Sequence, residues 1–255
     1  MLAAMFARGS LWAMFLLQMT ASAYAVDCTR HRSGDATYVV CRVDTRSEKL
    51  GLYYADERGR PHGSLVALRA SLAKAGTRVS FAMNAGMFHA DQRPVGLLVV
   101  QGRELAPINR GSAWGNFYLQ PNGVFLVDEQ GPHVLSTMDY RNRKPLFATQ
   151  SGPMLVHRGV VPEITAFRPN ATSRFIRNAV CTPAAGKVAF VISEDAVTFR
   201  EFALFFRDAL GCDEALYLDG SVSSLLAPAL GREDSRKGLG PIFAVTEEPA
   251  ATAAR

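Results

Sequence analysis

The chain has 255 residues, 48% of them hydrophobic and 20% charged, and carries a formal net charge of +5 with a pI of about 9.2. That is ordinary globular composition, enough for one large domain or two small ones. The basic residues are mostly Arg scattered among acids, with no Lys/Arg block, which argues against nucleic acid as a partner and suits an anionic substrate or a plain solvated surface.

Residues 1–25 read as a secretory leader. Arg8 supplies a positive start, Leu11 to Met19 is an apolar run broken only by Gln18, and Ala23-Tyr24-Ala25 is a small-x-small pattern that places the cut after Ala25. The run is short for a membrane span. Ala25-Val26-Asp27 before Cys28 is a poor lipoprotein signal. The expectation is a periplasmic or secreted protein with no stable membrane insertion. Cys28, Cys41, Cys181 and Cys212 fit that compartment. Four cysteines allow three pairings. Cys28–Cys41 and Cys181–Cys212 are favoured because each pair is close in sequence. With no Cys-x-x-Cys and no nearby paired His, the cysteines do not suit a metal site, and no cofactor is expected.

Along the mature chain, Ser64 to Ala75 predicts a helix with Leu65, Leu68 and Leu72 on one face and Gly76 as its stop. The strand Val79 to Met83 follows and ends in the corner Asn84-Ala85-Gly86, with His89, Asp91 and Arg93 beyond. Hairpin signals fill the middle: Val95–Val100 before Gln101-Gly102, Asn116–Leu119 and Val124–Val127 around Pro121-Asn122-Gly123, and Met154–Val156 and Val160-Val161 around His157-Arg158-Gly159. Tight hairpins imply antiparallel pairing. Thr198 to Leu210 predicts a second helix, opened by a Thr198/Glu201 capping box and closed by Gly211. The strand Ala215 to Leu218 then ends at Asp219-Gly220. The class is α+β, with mixed, largely antiparallel sheets and packed helices. Two helix-then-strand units ending in polar-x-Gly corners hint at two related α–β halves meeting at one site. One domain over 26–248 is expected, with a disordered tail at 249–255.

Several residues have the chemistry for a site. Asp219, followed by Ser221, Ser223 and Ser224, suits acid, base or nucleophile work, or a helix cap. Arg177, with Arg174 and Arg168, offers a guanidinium fork for phosphate, or a solvated basic face. Glu194 and Asp195 follow the strand Val188–Ile192 and suit a second carboxylate, or a loop before the Thr198 cap. Asn84 can bond sugar hydroxyls or phosphate, and His89 is the best placed histidine for proton transfer. Gln150-Ser151-Gly152-Pro153 is not the Gly-x-Ser-x-Gly elbow, so Ser151 and Gly152 read as ligand-holding groups. Walker, dinucleotide, His-Glu-x-x-His and EF-hand patterns are absent.

The ordered set Asn84-Ala85-Gly86-Met87-Phe88, Ser151-Gly152-Pro153-Met154-Leu155, Arg177-Asn178-Ala179-Val180 and Tyr217-Leu218-Asp219-Gly220-Ser221 resembles the phosphodiester glycosidase family, from about Tyr38 to Val245. The resemblance implies hydrolysis of a sugar-phosphodiester or phosphoglycan at the sugar carbon, releasing free sugar and a phosphomonoester. It also implies a catalytic set of Asp219, Arg177, Glu194 and Asn84. Gly86, His89, Arg93, Ser151, Gly152, Gly220 and Ser223 would then surround the substrate. The family's triple glycine is here Gly220-Ser221-Val222, and Ala85 replaces a glycine, so the site is narrower. A non-catalytic glycan-binding protein and a phosphodiesterase cutting P–O are the competing readings.

Overall fold

A computed structural model describes residues 26–141 and 143–247. The leader at 1–25 and the tail at 249–255 lie outside the described residues. Three sheets carry the fold, with strands numbered in chain order. The first, six-stranded, runs β1 (Asp27–Ser33), β2 (Ala36–Asp44), β12 (Lys187–Ser193), β11 (Asn178–Ala184), β13 (Ala215–Tyr217), β10 (Met154–Val156). The second, five-stranded, runs β15 (Arg232–Glu233), β14 (Leu225–Ala227), β4 (Arg78–Asn84), β16 (Ile242–Glu247), β3 (Lys49–Tyr53). The third, also five-stranded, runs β6 (Arg103–Ala106), β5 (Leu98–Val100), β9 (Phe147–Ser151), β7 (Gly123–Asp128), β8 (Gly131–Ser136). Ladder pairings among the described strands are antiparallel, in agreement with the expected α+β class.

The inner strands are apolar on both faces, so each packs two ways. On β12, Val188, Phe190 and Ile192 face the central core, while Ala189 and Val191 face an outer layer. The central core draws aromatics from all three sheets, Phe190 from the first, Phe81 and Phe243 from the second and Phe125 and Phe147 from the third. Phe190 sits 5.9 Å from Phe125 and 5.1 Å from Phe243, ring centre to ring centre. Burying such a side chain contributes roughly 1.5–3 kcal/mol, and three sheets are locked together at this point.

Two helices cover outer faces. Helix α1 (Leu65–Lys74) has the Ser64 hydroxyl as N-cap, accepting from Ala67 N at 3.0 Å, and packs Leu65 and Leu68 on the second sheet. Helix α2 (Phe199–Leu204) opens with the expected capping box: Glu201 N donates to Thr198 Oγ1 at 3.1 Å, and Thr198 N donates to Glu201 Oε2 at 2.8 Å. It does not run on as α-helix to Leu210. Residues Phe205–Ala209 form a wider π turn in which Leu210 N bonds Phe205 O at 3.2 Å. The wider turn keeps both Phe205 and Phe206 buried against the first sheet, Phe205 stacked 4.1 Å from Tyr38.

Other expectations are corrected. Asn116–Leu119 is not a strand. Asn116–Tyr118 is a 3-10 turn, because Phe117 alone is buried there and its carbonyl is taken by the Asn122 side chain at 2.9 Å. Val124–Val127 instead pairs forward with β8. Val160-Val161 makes a single bridge, His157↔Val160, around a turn in which Arg158 and Gly159 both have positive φ. The two helix-then-strand units lead to adjacent corners. Their strands β4 and β13 belong to different sheets with different neighbours, so the topology does not establish related halves.

Both expected disulfides are formed, Cys28–Cys41 across the β1–β2 pair and Cys181–Cys212 from β11 to the segment after α2. Among the described residues no helix is long and apolar enough to cross a membrane. The Cys181–Cys212 link closes a sequence separation of 31 against 13 for the other. The chain-entropy relation gives about 4 and about 3 kcal/mol respectively. Replacing Cys181 and Cys212 together by Ala is therefore expected to lower the urea midpoint more than the same change at Cys28 and Cys41. Equilibrium unfolding of the two variants checks the order.

Candidate active site

The four sequence motifs lie at joints where the chain enters or leaves a sheet. Asn84 ends β4 before the chain crosses to the third sheet. Ser151 ends β9 before the crossing to β10. Asn178 begins β11, and Asp219 follows β13 on the way to β14. One amide ties three of these joints. Asn84 is fully buried; its Nδ2 donates to Asp219 O at 2.7 Å, and its Oδ1 accepts from Asn178 Nδ2 at 3.0 Å and Ser224 N at 2.9 Å. Asp219 N donates to Ala85 O at 3.1 Å, and Leu218 N to Asn178 O at 3.0 Å. The Ser223 hydroxyl, within 3.2 Å of Ile176 O and of Asn178 Oδ1, closes the same knot.

The glycines are required by the protein's own packing. A Cβ on Gly86 would stand 2.2 Å from Thr149 Oγ1 and 2.4 Å from Gln150 O, which brings the β4 corner against β9. A Cβ on Gly220 would stand 1.9 Å from the Tyr217 hydroxyl. Gly152 is similarly close to Asn122 and Phe117 O. Gly220 N–H donates to Leu218 O at 2.9 Å. Ser151 is buried with its hydroxyl unpaired, which costs about 1–3 kcal/mol.

Asp219 is 8% exposed. Its Oδ1 accepts from Ser221 Oγ at 2.6 Å and Ser221 N at 3.2 Å. Burial pushes its pKa above the ordinary carboxylate range; the Ser221 hydrogen bonds and the charge of Arg236 pull the other way. Arg177 is a buried guanidinium with neutral partners. Nε donates to Val197 O at 2.9 Å, Nη2 to Ser173 O at 3.0 Å and Nη1 to the Tyr217 hydroxyl at 3.3 Å, while the Phe199 ring lies 3.7 Å below it. Burial lowers its pKa and raises that of Tyr217. Tyr217 therefore stands between Arg177 and the Asp219–Gly220 corner. Pattern reading passed over it because it looks like a core residue of β13. Arg236 was passed over too, since its effect on the Asp219 charge comes from across β14 and β15 and no local pattern marks it.

The remaining candidates lie at the periphery. Glu194 is held by Arg30, at 3.1 Å, and Arg232, at 3.7 Å, and makes no hydrogen bond or ion pair with the Asp219 corner among the described residues. His89 and Arg93 are exposed on the loop between Phe88 and Pro94, Arg93 paired with Asp91 at 2.6 Å. Two clefts, of about 670 Å³ beside α2 and about 530 Å³ around Arg168 and Arg200, contain none of the motif residues. Asp219 is singled out as a candidate by its burial and its hydrogen-bonded neighbours, not by cleft size.

Comparison with known proteins gives a consistent answer. The family model for phosphodiester glycosidases matches residues 77–245, and the chain belongs to that family. It is 34% identical over 185 residues to the uncharacterised protein YigE of Escherichia coli (strain K12), covering 72% of this chain and 71% of that one. Its fold is similar to the catalytic domain of zebrafish N-acetylglucosamine-1-phosphodiester alpha-N-acetylglucosaminidase, at TM-score 0.60 and 14% identity over 88% of this chain and 84% of that one. A protein of Burkholderia pseudomallei K96243, described as a supposed exported protein, matches at TM-score 0.57 and 13% identity over 82% and 74%.

The buried carboxylate has a measurable consequence. Its folded-state pKa is raised, so stability is lost as pH rises from the ordinary carboxylate value through the raised one, the loss is complete above the raised value, and it vanishes where both states are protonated. Asp219→Asn is expected to be more stable than the parent at pH 8. The advantage should disappear below about pH 4. Urea midpoints across that range test it.

Proposed function

We propose that this member of the phosphodiester glycosidase family is an exported hydrolase that cleaves a glycosyl phosphodiester at the sugar C–O bond. The observation that carries the reading is the joining of three of the four family motifs by the Asn84 amide at one buried carboxylate, Asp219. The two disulfides support export, since they persist in oxidising compartments.

In this reading Asp219 faces the sugar carbon and stabilises oxocarbenium character as the bond lengthens. Ser221 holds one carboxylate oxygen, which orients the other. A phosphomonoester is already a good leaving group, so little help from a general acid is needed. Arg177 has no carboxylate among its partners, so its positive field acts through Tyr217 on the corner, where negative charge grows in the transition state. Asn84 and Ser223 position the corner, while Ser151 and the Gly152 backbone border it. Glu194 takes a second-carboxylate role on release from Arg30 and Arg232. His89 and Arg93 contact the aglycone side. The sugar is accommodated in a corner narrowed by Ser221 and Val222, so the N-acetylglucosamine specificity in the zebrafish enzyme's name is not carried over.

A second reading, a glycan-binding protein using the same corner, is favoured by the engagement of Glu194 away from Asp219. Turnover separates them. The disulfide-bonded chain is expected to release free sugar from at least one member of a panel of sugar-1-phosphodiesters. Asp219→Asn should lower kcat by about a hundredfold or more. In ¹⁸O water the label should enter the sugar. Label in the phosphate would mean P–O cleavage, and tight binding without release would mean a binding protein.

A further inference from the structure

The loop 235–238 is anchored on both sides, and the segment that follows it is tied to the Asp219 corner through Ala85. Before it, Asp234 is fixed by Arg232 at 2.9 Å and by exchange of hydrogen bonds with the Leu225 backbone at 2.9 and 3.0 Å. After it, Leu239 N donates to Gly63 O at 2.9 Å, and Leu239 O accepts from Gln92 Nε2 at 2.7 Å. Gly240 lies so close to the Phe88 ring that a Cβ would stand 2.5 Å from it, and Pro241 O accepts from Ala85 N at 2.8 Å. Ala85 is also the residue whose carbonyl holds Asp219 N at 3.1 Å. The loop base and the carboxylate are thus pinned to one corner.

The loop displays two exposed cations, Arg236 and Lys237, before Gly238 turns the chain at φ +76°. Neither makes a hydrogen bond or ion pair among the described residues. Other nearby guanidiniums are committed: Arg93 to Asp91, Arg232 to Asp234 and Glu194, Arg30 to Glu194, and Arg177 to its buried neutral shell. The charge of Arg236 is felt at Asp219.

We propose that Arg236, with Lys237 beside it, receives the substrate's phosphate at the mouth over Asp219. The inference rests on the glycosidase reading and deepens it. A glycosyl phosphodiester joins the sugar carbon to phosphate through one oxygen, so a carboxylate facing that carbon lies near the anion and repels it. A free guanidinium just outside offsets the repulsion with a forked contact to phosphate oxygens, and a lysine adds a point charge. When the sugar C–O bond breaks, its electron pair stays on the phosphate oxygen, and water supplies the hydroxyl that bonds the sugar carbon and a proton that leaves to solvent. The phosphate thereby gains negative charge, and Arg236 holds the departing monoester more strongly than the diester.

The test is calorimetric binding of inorganic phosphate to the full disulfide-bonded chain, together with steady-state hydrolysis where a substrate is turned over. Arg236→Ala is expected to weaken phosphate binding by about tenfold or more, and Arg236→Lys by less. Arg103→Ala, an exposed change on edge strand β6, should leave it unaltered. Asp219→Asn should retain or tighten binding, since a repelling charge is removed. Unchanged binding in Arg236→Ala, equal loss in Arg103→Ala, or no binding by the parent chain overturns the proposal. Phosphate binding that depends on Arg236 without turnover of any phosphodiester leaves this proposal standing and removes the glycosidase reading. Turnover with KM and phosphate inhibition unaffected by Arg236→Ala does the reverse.

Discussion

The buried amide of Asn84 is the constraint on which the rest of the site depends. A primary amide has two donors and an acceptor with two lone pairs. Here those groups reach the backbone after β13, the backbone entering β14 and the side chain at the start of β11. An apolar residue of the same size would leave Ser224 N unpaired in the interior, at about 1–3 kcal/mol, and would leave Asp219 O with only the longer bond from Val222 N at 3.3 Å. The joint therefore specifies one arrangement of three chain crossings. Asp219 is placed by its backbone, through Asn84 and Ala85, before its side chain meets any ligand.

Around that joint the charges are arranged by depth. Arg177 lies deepest, stacked on Phe199 and bonded to neutral oxygens. Removing a guanidinium from water is expensive unless hydrogen bonds and a π face replace the hydration, and this one has both. Tyr217 and Gly220 separate it from Asp219, which is itself mostly buried. Arg236 lies outermost and exposed. Arg177 reaches the corner only through the Tyr217 hydroxyl, and among the described residues Asp219 makes no ion pair with it or with Arg236. Such a carboxylate stays available for chemistry.

Sequence was informative where local physics decides the outcome. The Ser64 and Thr198 caps, the strand Val79–Met83, the close cysteine pairs and the order of the four motifs all follow from short-range rules. It was uninformative where the deciding contact is long-range. Gly86 and Gly220 read as places for a ligand to approach, yet Thr149 and Tyr217 occupy that space, and no spacing rule pairs residue 86 with 149. Asn116–Leu119 has strand-like residues, but no strand lies beside it to complete a ladder. Arg236 sits in a polar loop whose base is fixed by Gly240 against Phe88, a contact no spacing rule anticipates.

The N-terminal strands explain why Glu194 departs from its anticipated role. The family match begins at residue 77, so β1, β2 and β3 lie outside it, while every motif joint lies inside. These strands extend the first two sheets, β2 on β12 and β3 on β16, and contribute Val39, Cys41, Val43 and Leu52 to the central core. Arg30 on β1 reaches the end of β12 and takes both oxygens of Glu194. The edge hairpin that completes the core therefore also holds the carboxylate at the end of β12. Arg30 is half exposed, so this pair is held weakly and is screened by salt. Glu194 is thus engaged by two guanidiniums, one half exposed and one mostly buried, and neither pair involves Asp219.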